Sequence, residues 1–147
     1  MEFAIGGVDT KPLSDKGVEM VIKRVDTGAP ALGPNGEPVK LVLLGPDSDV
    51  FNDLTNARFN KIRLRAAEAK AVGSDDNELE ESRKAGLDLL ISCTVGWANV
   101  TTPDGTEIQF SKENVRRLYL AMPAVRDQAD AFIGKRANFL NAPSATL

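Results

Sequence analysis

Four groups of residues carry atoms that could do chemistry. Asp47, Ser48 and Asp49 offer the oxygen ligands that calcium takes, and the run Asp75, Asp76, Glu78, Glu80 and Glu81 could attract a divalent cation. Cys93 is a lone thiol, and Trp97 and Tyr119 lie near a basic trace of Arg116, Arg117, Arg126, Lys135 and Arg136. Each group also has a plainer reading. A calcium loop needs a ligand where Phe51 stands, a glycine at its sharp turn and a closing glutamate, none of which is in place; Asp and Ser before an apolar run act instead as helix caps. The acidic run suits a solvated first helical turn, where it complements the helix dipole. Cys93 sits in "LLISCTV", the surroundings of a core thiol rather than a reactive thiolate. The glycines Gly33, Gly36 and Gly45 match no phosphate-binding spacing, and Asn99-Val100-Thr101 is a glycosylation sequon by chance.

What is missing narrows the function further. The chain has no histidine, which removes the commonest general base near neutral pH, the commonest neutral metal ligand and every Ser-His or Cys-His pair. A single cysteine cannot form an internal disulfide, so packing must supply stability. A net charge of -3 gives no global field for DNA or acidic membranes, and the basic trace is interrupted by Asp127 and Asp130. No apolar run approaches the roughly 20 residues that span a bilayer, and the first residues have no signal- or transit-peptide pattern. The expectation is a protein that is not an enzyme, uses no metal or cofactor, and binds neither nucleic acid nor membrane.

The elements that would hold these residues follow from periodicity and punctuation. The 147 residues suit one domain. Residues 1–16 read as a loose arm, and 17–45 as a two-stranded ribbon, "GVEMVIKRVD" and "VKLVLL", joined by a long connector that turns at Asn35-Gly36. Residues 46–95 read as an antiparallel helical hairpin. Its first helix is capped at Asp47 to Asp49 and carries a stripe of Phe51, Leu54, Arg58, Ile62, Ala66 and Ala69. Its second helix restarts after a Gly73-Ser74 turn, with Asp75 and Glu78 as a capping box and Leu79, Leu87, Leu90, Ile91 and Thr94 as its stripe. Charge is segregated between them. From Arg58 to Lys70 five bases face one acid, a surplus of four positive charges, and from Asp75 to Asp88 six acids face two bases, a surplus of four negative ones. Residues 96–140 read as a short β-hairpin turning at Asp104-Gly105, then a helix capped by Ser111 with Val115, Leu118, Tyr119 and Met122 on one side. A last helix opens at Pro123 with the stripe Val125, Ala129, Phe132, Arg136 and Phe139, and 141–147 read as a tail. The fold class expected is α+β, mainly α.

The segment "ISCTVGW", the acidic-Gly turn, "IQFSKENVRRLY" and "VRDQADAFIGKRANFL", together with "LLGPDSDVFNDL" earlier in the chain, resemble the tail assembly chaperones of long-tailed bacteriophages. The resemblance spans roughly 39–140 and implies a non-catalytic morphogenesis protein in the host bacterial cytoplasm. Such a protein would bind the long, helical tape-measure protein, or other phage tail proteins, during tail assembly, with a homo-oligomer as a further option. The alternative is a minor structural protein retained in the virion, in the tail or capsid, its ribbon adding to a neighbour's sheet. Candidate partner-binding residues are Trp97, which most often closes a core at such a position but is also a type enriched among interface hot spots, Tyr119, and Arg116, Arg117, Arg126 and Arg136 of the basic trace, whose plainer reading is a solvated face.

Overall fold

The structure, a computed structural model, describes residues 3–68 and 76–141. Its mixed α+β, mainly helical architecture is the class expected from the sequence. In chain order the elements are α1 (Lys11–Lys16), β1 (Val18–Val21), β2 (Lys40–Leu43), α2 (Asp49–Glu68), α3 (Asp76–Ser92), β3 (Thr94–Ala98), α4 (Lys112–Ala121), α5 (Pro123–Gly134) and a closing 3-10 turn (Arg136–Phe139).

Three antiparallel strands form the sheet, with β2 in the middle. β1 pairs with it from Val18 opposite Leu43 to Val21 opposite Lys40, as the ribbon predicts. β3 takes the other edge, with Leu41 opposite Trp97 and Leu43 opposite Thr94; the register slips there, and Val95 is the extra residue. This strand corrects the sequence reading, which extended the preceding helix to Thr94. Helix α3 ends at Ser92, and the β-branched Thr94 and Val95 pass into the sheet because β2 would otherwise leave one edge bare.

One face of the sheet carries Met20, Leu41 and Leu43 into a core closed by Leu90 and Ile91 of α3, Val115 and Tyr119 of α4, and Val125, Ala129 and Ile133 of α5. Fully burying a side chain of the Leu or Val class contributes about 1.5–3 kcal/mol, so these positions hold the body together. Helix α4 starts as expected, the Ser111 hydroxyl accepting from the Asn114 amide at 3.1 Å. Lys112, one residue on, reaches back to the end of α3 and donates to the carbonyls of Ile91 and Thr94 at 3.1 and 2.7 Å, which serves carbonyl groups that a helix end leaves without partners. Helix α5 begins at Pro123 but stops at Gly134; its buried stripe is Val125, Ala129 and Ile133, so Arg136 lies beyond the helix rather than in its face.

Two further expectations change. The arm is ordered from Asp9 onward: Pro12 opens α1, Ser14 is buried, and the Asn141 amide donates to the Asp9 carbonyl at 2.8 Å. Helix α2 is capped at Ser48, whose Oγ accepts from the Phe51 amide at 3.1 Å, but among the described residues of its expected stripe only Phe51 packs against the core. Farther along, α2 leaves the body, accompanied by α3, to which Arg65 is tied through an ion pair with Glu81. Arg65 lies near the end of α2 and Glu81 near the start of α3, the arrangement of an antiparallel hairpin. The Gly73-Ser74 turn, the Asp75 cap, Ala69 and the tail beyond Asn141 lie outside the described residues.

Gly45 joins β2 to the start of α2 at a crowded point. Its amide donates to the Ser14 carbonyl at 3.0 Å, and a Cβ placed on it would stand 2.7 Å from the Phe139 ring. Gly86, within α3, has open space around it. Gly45→Ala is therefore expected to cost about 1–3 kcal/mol through overpacking, whereas Gly86→Ala should stabilise by about 0.5–1 kcal/mol through helix propensity. Urea denaturation of the two variants checks both signs.

Candidate protein-docking groove

Beyond the strands the connector between β1 and β2 keeps its order. Ala31 is stitched to both sides, its amide donating to Ile22 at 2.8 Å and its carbonyl accepting from Val39 at 2.9 Å. The Asn35-Gly36 turn closes the far end, with Gly36 at φ +80°. Gln128 of α5 then fastens this ribbon to the helices: its carbonyl oxygen accepts from the Lys23 amide and its amide donates to the Lys23 carbonyl, both at 2.8 Å.

After β3 the chain makes the expected turn at Asp104-Gly105, with Gly105 at φ +89° and the Thr102 amide donating to Thr106 at 2.9 Å. Asn99, at φ +64°, bends the chain toward the ribbon and donates from Nδ2 to the Pro38 carbonyl at 2.8 Å. These contacts lock the two loops together opposite the junction of α4 and α5.

Between them lies an open groove of about 730 Å³. The ribbon supplies Leu32, Pro34 and Val39, the second loop Val100 and Ile108, and the helices Leu118 and Met122. Trp97 also lines it. Its ring meets Phe110 edge to face at 5.4 Å, and its Nε1 donates to the Ile108 carbonyl at 3.0 Å, so the indole is held in place with its polar atom satisfied. Leu32 and Met122 are more than half exposed on the rim. Among the described residues Arg117 is the one charged group in the lining, and it pairs with Glu113 at 2.9 Å. Among the described residues the walls carry no carboxylate, cysteine or lysine, and no three His, Cys, Asp or Glu side chains gather to hold a metal ion.

The six candidate partner residues do not converge. Trp97 and Arg117 reach the groove, but Tyr119 has no exposed surface: its hydroxyl is 2.7 Å from Thr94 Oγ1, inside the core. Arg116 pairs with Asp88 of α3 at 2.6 Å. Arg126 lies in a separate depression beside α3, and Arg136 makes two hydrogen bonds to Asp47, at 2.8 and 2.9 Å, joining the C-terminal turn to the entry of α2. The Thr10 hydroxyl and Arg136 hold the Asp47 carboxyl below the usual carboxylate range. Sequence reading missed most of the lining because it comes from three distant stretches. Besides Trp97 and Arg117, the lining residues Leu118 and Met122 were singled out, but as companions of the buried Val115 and Tyr119; in the structure Leu118 is half-buried at the edge of the core and Met122 is exposed on the rim.

Comparison with family models, with curated protein sequences and with solved structures gives no match, so the functional reading rests on this site.

In the core two buried groups tie stability to alkaline pH. Burial raises the Tyr119 hydroxyl from 10.0 to about 12, against a smaller opposing effect of its Thr94 hydrogen bond, and raises the Cys93 thiol from 9.0 to about 11. The folded state thus keeps protons that the unfolded chain releases, so stability is intact below the unfolded values and falls as pH rises through the window from about 9 to 12. Tyr119→Phe is expected to cost about 1 kcal/mol at neutral pH through its lost hydrogen bond, and to make the alkaline fall shallower. Denaturation midpoints measured from pH 7 upward, for both proteins, test this.

Proposed function

We propose that this chain is a non-enzymatic binding protein whose groove takes an apolar helix of another protein. The observation that carries the proposal is the groove itself: an open apolar trough, lined by an immobilised tryptophan, with no acid, base or nucleophile positioned for catalysis. An amphipathic helix laying residues at i, i+3, i+4 and i+7 against such a surface would cover Leu32 and Met122 while placing its polar side in water. The resemblance to tail assembly chaperones supplies the partner: a tape-measure protein of a long-tailed phage, whose long apolar stripes need cover until tail-tube subunits surround them.

Leu32→Glu and Met122→Glu place a charge on the groove while altering side chains that contribute little to the core. Co-expression with the tape-measure protein is expected to raise that partner's soluble yield and to give a co-purifying complex, and each variant should weaken binding by about tenfold or more with an unchanged circular dichroism spectrum. Retention of full binding by both variants, or no effect of the native chain on solubility, would count against this function.

A second reading is favoured by the position of β1 at an edge of the sheet, where a neighbouring subunit could add a strand. It makes the chain a minor structural component of the virion. Mass spectrometry of purified particles separates the two: stoichiometric copies support the structural role, and absence supports the chaperone.

A further inference from the structure

Residues 3–8, Phe-Ala-Ile-Gly-Gly-Val, carry no charged side chain, and their three large apolar groups stand in water: Phe3 is 80% exposed, Ile5 63% and Val8 62%. The body of the protein gives them no seat. A Cβ placed on Gly6 or Gly7 would meet no atom within 4 Å beyond its chain neighbours. Among the described residues the first hydrogen bond tying this arm to the body is at Asp9, whose carbonyl accepts from the Asn141 amide. Exposed apolar groups gathered on one short segment mark a segment that docks, and an uncharged segment docks on apolar surface.

The Trp97 groove offers such a surface, but not to the arm of its own chain. Thr10 is hydrogen-bonded to Asp47, so the arm leaves the body just past the Gly45 end of β2, whereas the groove opens at the other end of that strand, around Val39. From Val39 to Gly45 the chain runs about 20 Å along the sheet. Fully extended from Asp9 back to Ile5, the arm reaches only about 14 Å. Ile5 therefore falls short of its own groove, and the groove open to it is that of another copy.

We infer that the arm of one copy docks in the Trp97 groove of another, with Phe3 and Ile5 covering Leu32 and Met122 on the rim. The contact joins two different surfaces, so a copy can receive one arm while giving its own. The inference rests on the groove being a docking surface and not on which protein supplies the helix. It also gives the groove a control: in concentrated protein the arms keep it covered, and a partner's helix enters by displacing one.

Sedimentation equilibrium of the full chain is expected to show association with rising concentration, to twice the 15.8 kDa chain mass and beyond. Phe3→Asp with Ile5→Asp charges the arm, and Met122→Glu charges the groove. Each variant alone should associate at least tenfold more weakly than the native chain, with an unchanged circular dichroism spectrum. Mixed in equal amounts, the two variants should form a species of twice the chain mass and no larger, because one keeps its groove and the other keeps its arm. Damage to folding would not produce that complementation. No second protein is present in these measurements, so failure of self-docking is told apart from failure of helix binding. A native chain that stays monomeric across the concentration range, either variant associating as tightly as the native chain, or a mixture that stays monomeric would overturn the inference.

Discussion

Leu41 and Leu43, alternate residues of the short strand β2, have no exposed surface, and the rest of the body is arranged by what covers them. Their backbones recruit β1 on one side and β3 on the other; their side chains recruit α3, α4 and α5 onto one face. Thr94 and Tyr119 find polar partners inside the same core. Thr94 donates to the Leu90 carbonyl and meets the Tyr119 hydroxyl, and Lys112 serves the end of α3. A four-residue strand therefore organises contacts among segments spread from Val18 to Ile133.

The groove follows from the same arrangement. Once β1, β2 and β3 are paired, the connector beyond β1 and the loop beyond β3 emerge at the same end of the sheet, where Asn99 and Gln128 tie them to each other and to α5. The trough between those loops and the α4–α5 junction is held by these side-chain-to-backbone hydrogen bonds and by Ile22 and Val125, which belong to the core, and its lining is mostly apolar and open. The hairpin of α2 and α3 leaves the body elsewhere. The groove shares Ile22 and Val125 with the folding core, whereas its rim residues Leu32 and Met122 are more than half exposed and lie outside that core.

Much of the local structure was legible from the chain. The caps at Ser48 and Ser111, the turns at Asn35-Gly36 and Asp104-Gly105, and the pairing of β1 with β2 rest on side-chain chemistry within a few residues. β3 was not legible, because Thr94 continues the helical spacing of Leu87, Leu90 and Ile91, and only the open edge of β2 draws it into a strand. Tyr119 and Leu118 illustrate the same limit: adjacent on α4, one is sealed in the core and the other lines the groove, a division made by tertiary packing. The arginines were read as a set from their closeness along the chain, but their acidic partners come from different elements and pull Arg116 and Arg136 apart.

The proposed function places a partner's apolar helix in the groove at Trp97. As the chain's one tryptophan, Trp97 reports on that groove without a label. Acrylamide quenching of its fluorescence, titrated with tryptophan-free helical fragments of the proposed tape-measure partner, tests that proposal most directly. Saturable protection of Trp97, lost in Met122→Glu, is the predicted result; a fragment that demonstrably binds while Trp97 quenching stays unchanged would contradict it.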